Sequence, residues 1–366
     1  MAAWDSSFGR NIMEWVVPSI DFQRPRASQT LLRAAHSAMY FSGVGALFIR
    51  ARGPAGAMIL MYHGVVDSDD ARWIDPRFSV SISVFEAQMS FLRRHRHVIS
   101  MTELVDTIDQ KETVRPGTVV ITFDDGYKNT LDGAAPILKR YDLPAIVYLA
   151  TGYVSREEGQ FIDVLFSAFR GRTRHALDLP EQGIDASSNL RDSEIARRTY
   201  LAIAHRLMVS SFEDRERLLG KVVEQLGPID RAPRLTLTWE EVHRLRMIHS
   251  RFEIGVHTRN HIDLTSASPA AAASEISGSA DDLRRELGVT PLHFSFPFGR
   301  SNGWARTAAV EAKLRSAAVT EPASLASSRA DVFGLSRLSA PDTMSLFPFY
   351  TSGAYPDLSR KLLGRA

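Results

Sequence analysis

The chain has 366 residues, of which 44% are hydrophobic and 23% are charged, so it can bury one large core or two and has an ordinary globular composition. Its 44 basic residues nearly balance its 42 acidic ones, giving a net charge of +2, which argues against a nucleic-acid partner because such partners favour a clear positive excess. There is no cysteine. This excludes disulfides and thiolate ligands, so any metal site must use histidine and carboxylate side chains.

Residues 1–55 are predicted to be an N-terminal extension, in which residues 28–50 have apolar side chains at helical spacing. The start of the chain lacks the basic cluster and apolar core of a signal peptide, and no stretch reaches the roughly 18–20 apolar residues of a transmembrane helix. A cytoplasmic location is therefore expected. The simpler interpretation of the helix is that it packs on the outside of the domain that follows. Because Arg33, Arg50 and Arg52 flank its apolar end, peripheral contact with a membrane surface is the alternative.

From residue 56 onward, apolar runs of strand length alternate with helical patterns. The predicted strands are residues 57–63, 118–123, 145–149, 252–256, 294–297, 317–320 and 332–338. Three of the predicted helices open with a capping box, which begins at Ser83, Ser100 or Thr238. Continuous apolar strands are typical of buried parallel sheets. The alternation therefore predicts an α/β fold, a distorted seven-stranded (β/α) barrel over residues 56–342 with its chemistry at the carboxyl ends of the strands.

Residues 155–234 interrupt this alternation. They contain a polar, turn-rich stretch at 185–192 and charged helices at 194–208 and 212–226. We interpret them as a helical insertion between two barrel strands, which either shapes a substrate groove or is a surface elaboration. Residues 343–366 are predicted to form a C-terminal tail.

Two short segments carry the candidate chemistry. Asp124 and Asp125 follow the strand at 118–123, where neighbouring side chains should point to different sides, so one can bind a metal while the other faces a substrate. His257 and His261 are four residues apart and can share one face of a helical turn. Two histidines and one carboxylate make a three-ligand metal site with an open position, as metal-assisted hydrolysis requires. The alternative is that the aspartates form a turn and His257 caps a helix.

These segments resemble the polysaccharide deacetylase family (carbohydrate esterase family 4), whose first two motifs read T-F-D-D-G and H-[ST]-x-x-H. In this chain residues 122–126 read T-F-D-D-G and residues 257–261 read H-T-R-N-H, in the order of the family. The resemblance covers residues 56–154 and 235–342.

The resemblance implies roles for the two aspartates and the two histidines of these motifs. Asp125, His257 and His261 would hold a divalent metal ion, and Asp124 would be the general base that takes a proton from water. Zinc is the ion we expect, and cobalt or nickel also suit these ligands.

The general acid of the family is a histidine in a late L-x-x-H motif, which the late strand region 334–339 of this chain lacks. Residues 60–63 on the first predicted strand read L-M-Y-H instead. Because a closed barrel has no true first strand, a circular permutation can move the last family strand to the front without altering the site. We therefore expect His63 to be the general acid and the chain to be of the permuted type that opens with a Y-H strand. The alternative is a buried histidine that hydrogen bonds to the backbone.

Further site residues are expected from the third motif of the family and from a late arginine. Pro297, Phe298 and Gly299 resemble the motif that offers a backbone N–H to the tetrahedral oxyanion. Arg337 is expected to pair with Asp124, lowering the pKa of that carboxyl and orienting it, unless it is a surface arginine. Aromatic residues that either stack on a sugar ring or belong to the core are Phe298, Tyr127, Tyr153 and Trp304.

The resemblance implies a metal-dependent hydrolase that removes N-acetyl groups from amino sugars of an oligo- or polysaccharide or of a lipid-linked glycan. A carbohydrate is then the expected partner. One alternative keeps the same metal site but acts on a non-sugar amide or formyl group. Another is a catalytically silent carbohydrate-binding protein, which the intact set of predicted ligands and base disfavours.

Overall fold

Seven parallel strands close into a barrel in the computed structural model of the protein, which describes residues 55–184, 189–320 and 324–353. The strands are β1 (Ala57–Tyr62), β2 (Gly64–Val66), β3 (Ser79–Ser81), β4 (His97–Val98), β5 (Thr118–Phe123), β6 (Ala145–Leu149), β7 (Phe252–Val256), β8 (His293–Ser295), β9 (Ser316–Val319) and β10 (Leu335–Ser339). The barrel runs in the order β1, β10, β9, β8, β7, β6, β5, and β5 pairs with β1 to close it. The predicted seven-stranded (β/α) barrel is therefore confirmed.

Helices surround this barrel. They are α1 (Ile82–His95), α2 (Met101–Asp109), α3 (Ala135–Tyr141), α4 (Phe161–Arg170), α5 (Ser193–Val209), α6 (Phe212–Leu226), α7 (Trp239–Ile248), α8 (Pro269–Leu287), α9 (Gly303–Glu311) and α10 (Phe347–Tyr350). None of the helices in the described ranges is long and apolar enough to cross a membrane. The helix predicted at 28–50, and with it the predicted membrane contact, lies outside the described residues.

The closing pair of strands shows why these sequences form barrel strands. All six residues of β5 are buried, because one face of the strand lines the barrel interior and the other is covered by helices. β5 pairs with β1 along its whole length, from Ala57 opposite Thr118 to Tyr62 opposite Phe123. Burying each large apolar side chain contributes about 1.5–3 kcal/mol, so a one-residue slip of this pair would be strongly unfavourable.

Two local predictions are wrong. The first capping box is not at Ser83, which lies inside α1. Ser81 caps this helix instead, and its Oγ accepts the Val84 N–H at 3.3 Å. The last strand begins at Leu335 rather than at 332, because a turn that begins at Asp331 occupies the preceding residues, with the Gly334 N–H donating to the Asp331 carbonyl at 2.9 Å. The boxes that begin at Ser100 and Thr238 are present.

Between β6 and β7 the chain leaves the barrel and forms the three helices α4, α5 and α6, with a hydrophobic core of their own. This core contains Leu165, Phe166, Phe169, Tyr200, Ile203, Leu207, Leu219, Val222 and Leu226. Phe298, from the loop after β8, packs against it. The helical insertion therefore contacts the same end of the barrel that carries the candidate site.

Candidate active site

A sharp turn after β5 separates the two aspartates of the first motif. Asp125 and Gly126 both have positive φ angles, of 74° and 75°, and a Cβ on Gly126 would lie 2.7 Å from the Leu149 side chain. Glycine is therefore required at that position. The Asp124 N–H donates to the Tyr62 carbonyl at 3.0 Å, which fixes the end of β5 against β1.

The three predicted metal ligands lie together and are buried. Oδ1 of Asp125 is 3.4 Å from Nε2 of His257 and 3.3 Å from Nε2 of His261. One ligand atom from each residue lies within 4.8 Å of the others. This separation allows all three atoms to contact one ion.

The two histidines do not lie on a helical turn, so that prediction is wrong. Residues 257–261 form a loop after β7, in which Thr258 and His261 have positive φ angles of 64° and 49°. Glu275 of α8 holds this loop by accepting the N–H groups of Arg259 and Asn260 at 3.0 and 2.8 Å. The loop rather than a helix brings the two imidazoles to a ring-centroid distance of 4.8 Å.

The residues present fit a divalent cation. The imidazole of His257 hydrogen bonds through Nδ1 to the Ser295 carbonyl at 2.7 Å. If Nδ1 is the donor, Nε2 presents its lone pair towards Asp125. Oδ1 of Asp125 is buried without a hydrogen-bond partner, and an orphaned buried acceptor that faces two ring nitrogens is what a metal cation would satisfy.

At two of the three predicted ligands, His261 and Asp125, the electrostatics favour the protonation state that binds a cation, whereas the nearby carboxylates of Asp124 and Asp125 outweigh burial and raise the pKa of His257. Burial lowers the pKa of His261 to about 3, so this ring is neutral at neutral pH. Burial alone would raise the pKa of Asp125, but the neighbouring histidines, His261 above all, outweigh it and hold that pKa below its ordinary value. Metal binding then displaces no proton from either group at neutral pH.

Asp124 forms a buried ion pair beside the predicted metal ligands, with its Oδ2 3.8 Å from Nε2 of His257. Its two oxygens accept hydrogen bonds from Nη1 and Nη2 of Arg337, each at 2.7 Å, and Arg337 is 1% exposed. Burial would raise the pKa of Asp124, but the Arg337 guanidinium outweighs it, and the pKa lies below its ordinary value. The expected pairing is present, and Asp124 is ionised and oriented. Arg337 also donates to Ser295 Oγ at 2.6 Å and Thr122 Oγ1 at 3.2 Å.

His63 lies at this same end of the barrel, directly after β1. β1 pairs with β10 on one side and with β5 on the other. Burial lowers the pKa of the His63 imidazole, opposed by the negative charges of Asp125 and Asp124. The ring is partly exposed and packs against Phe78 at 5.3 Å, so it borders the space above the two carboxylates.

The third motif forms a tight turn after β8. Phe298 has a φ of 58°, and its ring lies edge-on to His261 at 4.6 Å. Pro297 has no N–H, and the Gly299 N–H donates to the Phe296 carbonyl at 2.9 Å. Phe298 is therefore the member of this motif whose backbone N–H is the candidate oxyanion donor.

Tyr127 does not line a substrate surface, so its predicted place at the substrate is wrong. Its side chain is fully buried, and its hydroxyl donates to the two oxygens of Asp163 at 2.9 and 3.1 Å. The turn at Gly126 sends the chain beneath the insertion, where the Lys128 N–H donates to the Leu235 carbonyl at 2.7 Å. Tyr153 is also buried, whereas Trp304 is 43% exposed.

Sequence reasoning missed two residues that contact the candidate site, Ser295 and Arg215. Ser295 contacts both the predicted base and a predicted ligand, and its signal is a small polar residue between two phenylalanines in an apolar strand. Arg215 of α6 donates to the backbone of the metal-ligand loop. No local pattern marks it, because its partners are about 45 residues further along the chain.

Part of this chain is similar in sequence to known proteins. A poly-β-1,6-N-acetyl-D-glucosamine N-deacetylase of Staphylococcus aureus is 33% identical over 89 residues, which are 24% of this chain and 30% of that protein. The chain covers 46% or less of the length of the curated relatives it matches.

Two solved structures share the fold across most of this chain. The deacetylase PplD of Streptococcus pyogenes aligns with a TM-score of 0.54 at 19% identity, covering 82% of this chain and 99% of that one. IcaB of Ammonifex degensii aligns with a TM-score of 0.53 at 15% identity, covering 82% and 98%. Identities this low establish the barrel and its arrangement alone.

The polysaccharide deacetylase family model matches residues 111–192 and 218–317. Both histidines, both aspartates and the Pro297–Gly299 turn fall inside these segments, whereas His63 and Arg337 fall outside them. The matched segments, the order of the two motifs and the barrel fold all agree with this family. The chain belongs to the polysaccharide deacetylase family.

Proposed function

We propose that this protein is a metal-dependent hydrolase that removes N-acetyl groups from amino sugars of an oligo- or polysaccharide or of a lipid-linked glycan. The observation that carries the proposal is the cluster of Asp125, His257 and His261 beside an ionised Asp124 that Arg337 holds by two hydrogen bonds. The family and the named activity of the Staphylococcus aureus relative support an N-acetylated glycan as substrate.

Asp125, His257 and His261 would hold the divalent ion, with zinc expected first and cobalt or nickel also suited to these ligands. When bound, the ion supplies a Lewis acid that polarises the substrate carbonyl and lowers the pKa of water. Because these three ligands leave positions open, the substrate amide has room to approach from above the barrel.

Asp124 takes the proton of the attacking water. Its depressed pKa keeps it ionised, and Arg337 prevents the carboxylate from rotating. The water must approach from the side that Arg337 does not occupy. General-base catalysis of this kind contributes about 10²–10⁴-fold to the rate.

His63 donates a proton to the leaving nitrogen. An amine expelled without a proton is a poor leaving group, so the acid must stand beside the amide nitrogen. The imidazole has to carry a proton to act, and burial lowers its pKa. Turnover should therefore fall as the pH rises past the pKa of this group. The backbone N–H of Phe298 is the proposed donor that stabilises the oxyanion.

Acetate release tests the proposal. The purified protein would be incubated with N-acetylated glucosamine oligomers and polymers, with and without chelator, and with added zinc, cobalt or nickel. Release that chelation abolishes, that one ion restores and that Asp124→Asn eliminates supports the proposal. Release from non-sugar acetamides or formamides alone would replace the sugar with another substrate class, and no metal-dependent release from any amide would refute the proposal.

A further inference from the structure

The helical insertion contains a fully buried arginine that donates three hydrogen bonds to backbone carbonyls. Arg215 of α6 is 0% exposed. Nε donates to the Leu207 carbonyl at 3.1 Å, Nη1 to the Asn260 carbonyl at 2.9 Å and Nη2 to the His261 carbonyl at 3.0 Å. Two of these three acceptors belong to the metal-ligand loop, and one of them is a predicted ligand.

Burying a guanidinium carries a large desolvation penalty, so a surface elaboration without a structural role would not be expected to contain a buried arginine. The ring of Phe161 in α4 covers the guanidinium at 4.4 Å, which offsets part of that penalty. The planar fork of donors lets one side chain bridge α5 and the loop in a fixed geometry, which lysine cannot reproduce. This arrangement therefore fixes the position of the loop relative to the insertion.

His261 depends on such support more than His257 does. Nδ1 of His257 bonds to the Ser295 carbonyl, whereas Nδ1 of His261 has no hydrogen-bond partner among the described residues. The His261 ring lies between Phe298, at 4.6 Å, and Phe161, at 6.4 Å. Its orientation therefore depends on these two rings and on a backbone that both Arg215 and Thr258 hold.

The insertion also holds the other ligand loop. Asp163 of α4 accepts the Tyr127 hydroxyl. The Leu237 N–H, on the segment that returns to the barrel, donates to the Gly126 carbonyl at 2.9 Å. The insertion and the segment that follows it thus contact both the turn that presents Asp125 and the loop that presents His261.

We propose that Arg215 is a positioning residue of the metal site, which holds the loop at 257–261 so that Nε2 of His261 faces the ion. The helical insertion then supports the metal centre through this loop and is not a surface elaboration. Arg215 lies in the stretch 193–217 that the family model does not match, so the family assignment does not supply this role. The inference rests on the proposed function, because it presumes that the three ligands bind a metal.

Metal affinity, measured apart from turnover, tests the role. Apo-protein would be titrated with Co²⁺ and Zn²⁺ by calorimetry, and the visible spectrum of the Co²⁺ form would report the coordination geometry. We expect Arg215→Met to weaken binding about 10–100-fold, as the loss of a residue that orients a ligand does, and to alter the Co²⁺ spectrum. Arg215→Lys should recover only part of the affinity, since an ammonium cannot reach all three carbonyls in the same geometry.

Val222→Ala is the matched control. Val222 is buried in the same helix, in the core of the insertion, so its truncation destabilises the insertion without removing the bonds to the loop. The melting temperature of the Val222→Ala variant should fall, while its metal affinity and Co²⁺ spectrum stay as in the wild type. An Arg215→Met protein that folds and binds metal like the wild type would overturn the inference.

If Arg215→Met does not fold, Arg215→Lys decides by the same measurement, and wild-type affinity in that variant overturns the inference. A loss of affinity in Val222→Ala equal to that in the arginine variants would also overturn it, since the effect would then be general destabilisation. Wild-type protein that binds neither ion would refute the proposed function itself, which is a different result from wild-type binding that is insensitive to Arg215.

Discussion

Replacing Arg337 with methionine should raise the pKa of Asp124 and move the acidic limb of the pH–rate profile upward. The substitution keeps much of the side-chain volume but removes the cation that bonds both Asp124 oxygens at 2.7 Å. An adjacent opposite charge favours the ionised form of a carboxyl, so its removal should raise the pKa of Asp124.

The sign of the stability effect depends on pH. In the wild type the depressed pKa of Asp124 contributes stability above the unfolded value of about 3.9, and that contribution is lost as the pH falls through the folded pKa. In the variant, burial is opposed only by the smaller effects of His257 and His63, so the pKa of Asp124 rises. The stability lost relative to the wild type then accumulates as the pH rises from the folded pKa of the wild type to that of the variant. The difference in unfolding free energy should therefore grow from pH 4 to pH 7, towards the about 3–5 kcal/mol typical of a broken buried pair.

The assay is kcat/KM for deacetylation against pH at saturating metal, together with urea unfolding at both ends of that range. Arg315→Met is the matched control, because Arg315 forms partly exposed pairs with Asp106 and Asp109 beside α2, which contribute about 0–1 kcal/mol. It should leave the profile unchanged. An Arg337→Met protein with the wild-type acidic limb and a pH-independent loss of stability would refute the reasoning.

Three further substitutions separate the roles at the site. Asp124→Asn should bind metal like the wild type but lose about 10²–10⁴-fold in turnover, measured by calorimetry and acetate release; near-full activity would require another base. Asp125→Asn should instead weaken metal binding itself, because a neutral amide is a poorer ligand than a carboxylate, and unchanged affinity on titration would remove Asp125 from the ligand set. His63→Ala should impair hydrolysis of amides far more than that of activated aryl acetates, whose leaving group needs no proton, and equal losses on both would indicate a structural histidine.

The sequence predicted the parts of this fold that depend on local patterns. β5, β6 and β7 have the predicted bounds, because strands buried on both faces are continuous apolar runs ended by polar residues. Asp124 and Asp125 were placed correctly at a strand end for the same reason. The spacing of His257 and His261 also indicated proximity, although a loop with two positive φ angles, not a helix, produces it.

What the sequence could not show depends on tertiary contacts. The sequence around Tyr127 is the same whether this tyrosine stacks on a sugar or donates to a buried carboxylate. Only the packing of α4, which places Asp163 next to its hydroxyl, decides between these two possibilities. Arg215 is one of several charged residues in α6, and nothing in the helical period distinguishes it from a solvated arginine. Its burial follows from contacts with Leu207 of α5 and with the 257–261 loop, and the contacts with the loop join segments that lie far apart along the chain.

The closure of the barrel explains how residues from opposite ends of the chain meet at Asp124. In the β1–β5 pair, Tyr62 lies opposite Phe123, so His63 and Asp124 leave their strands at the same level. In the β1–β10 pair, Arg337 lies opposite Ile59, several residues deeper in the barrel. The guanidinium therefore reaches Asp124 from the barrel interior, while His63 flanks it from the neighbouring strand end. With Asp124 proposed as the base and His63 as the acid, this arrangement leaves the side of Asp124 away from Arg337 for the proposed substrate. Because β1 contacts both β10 and β5, a histidine on the first strand can occupy the place that the family gives to one on the last.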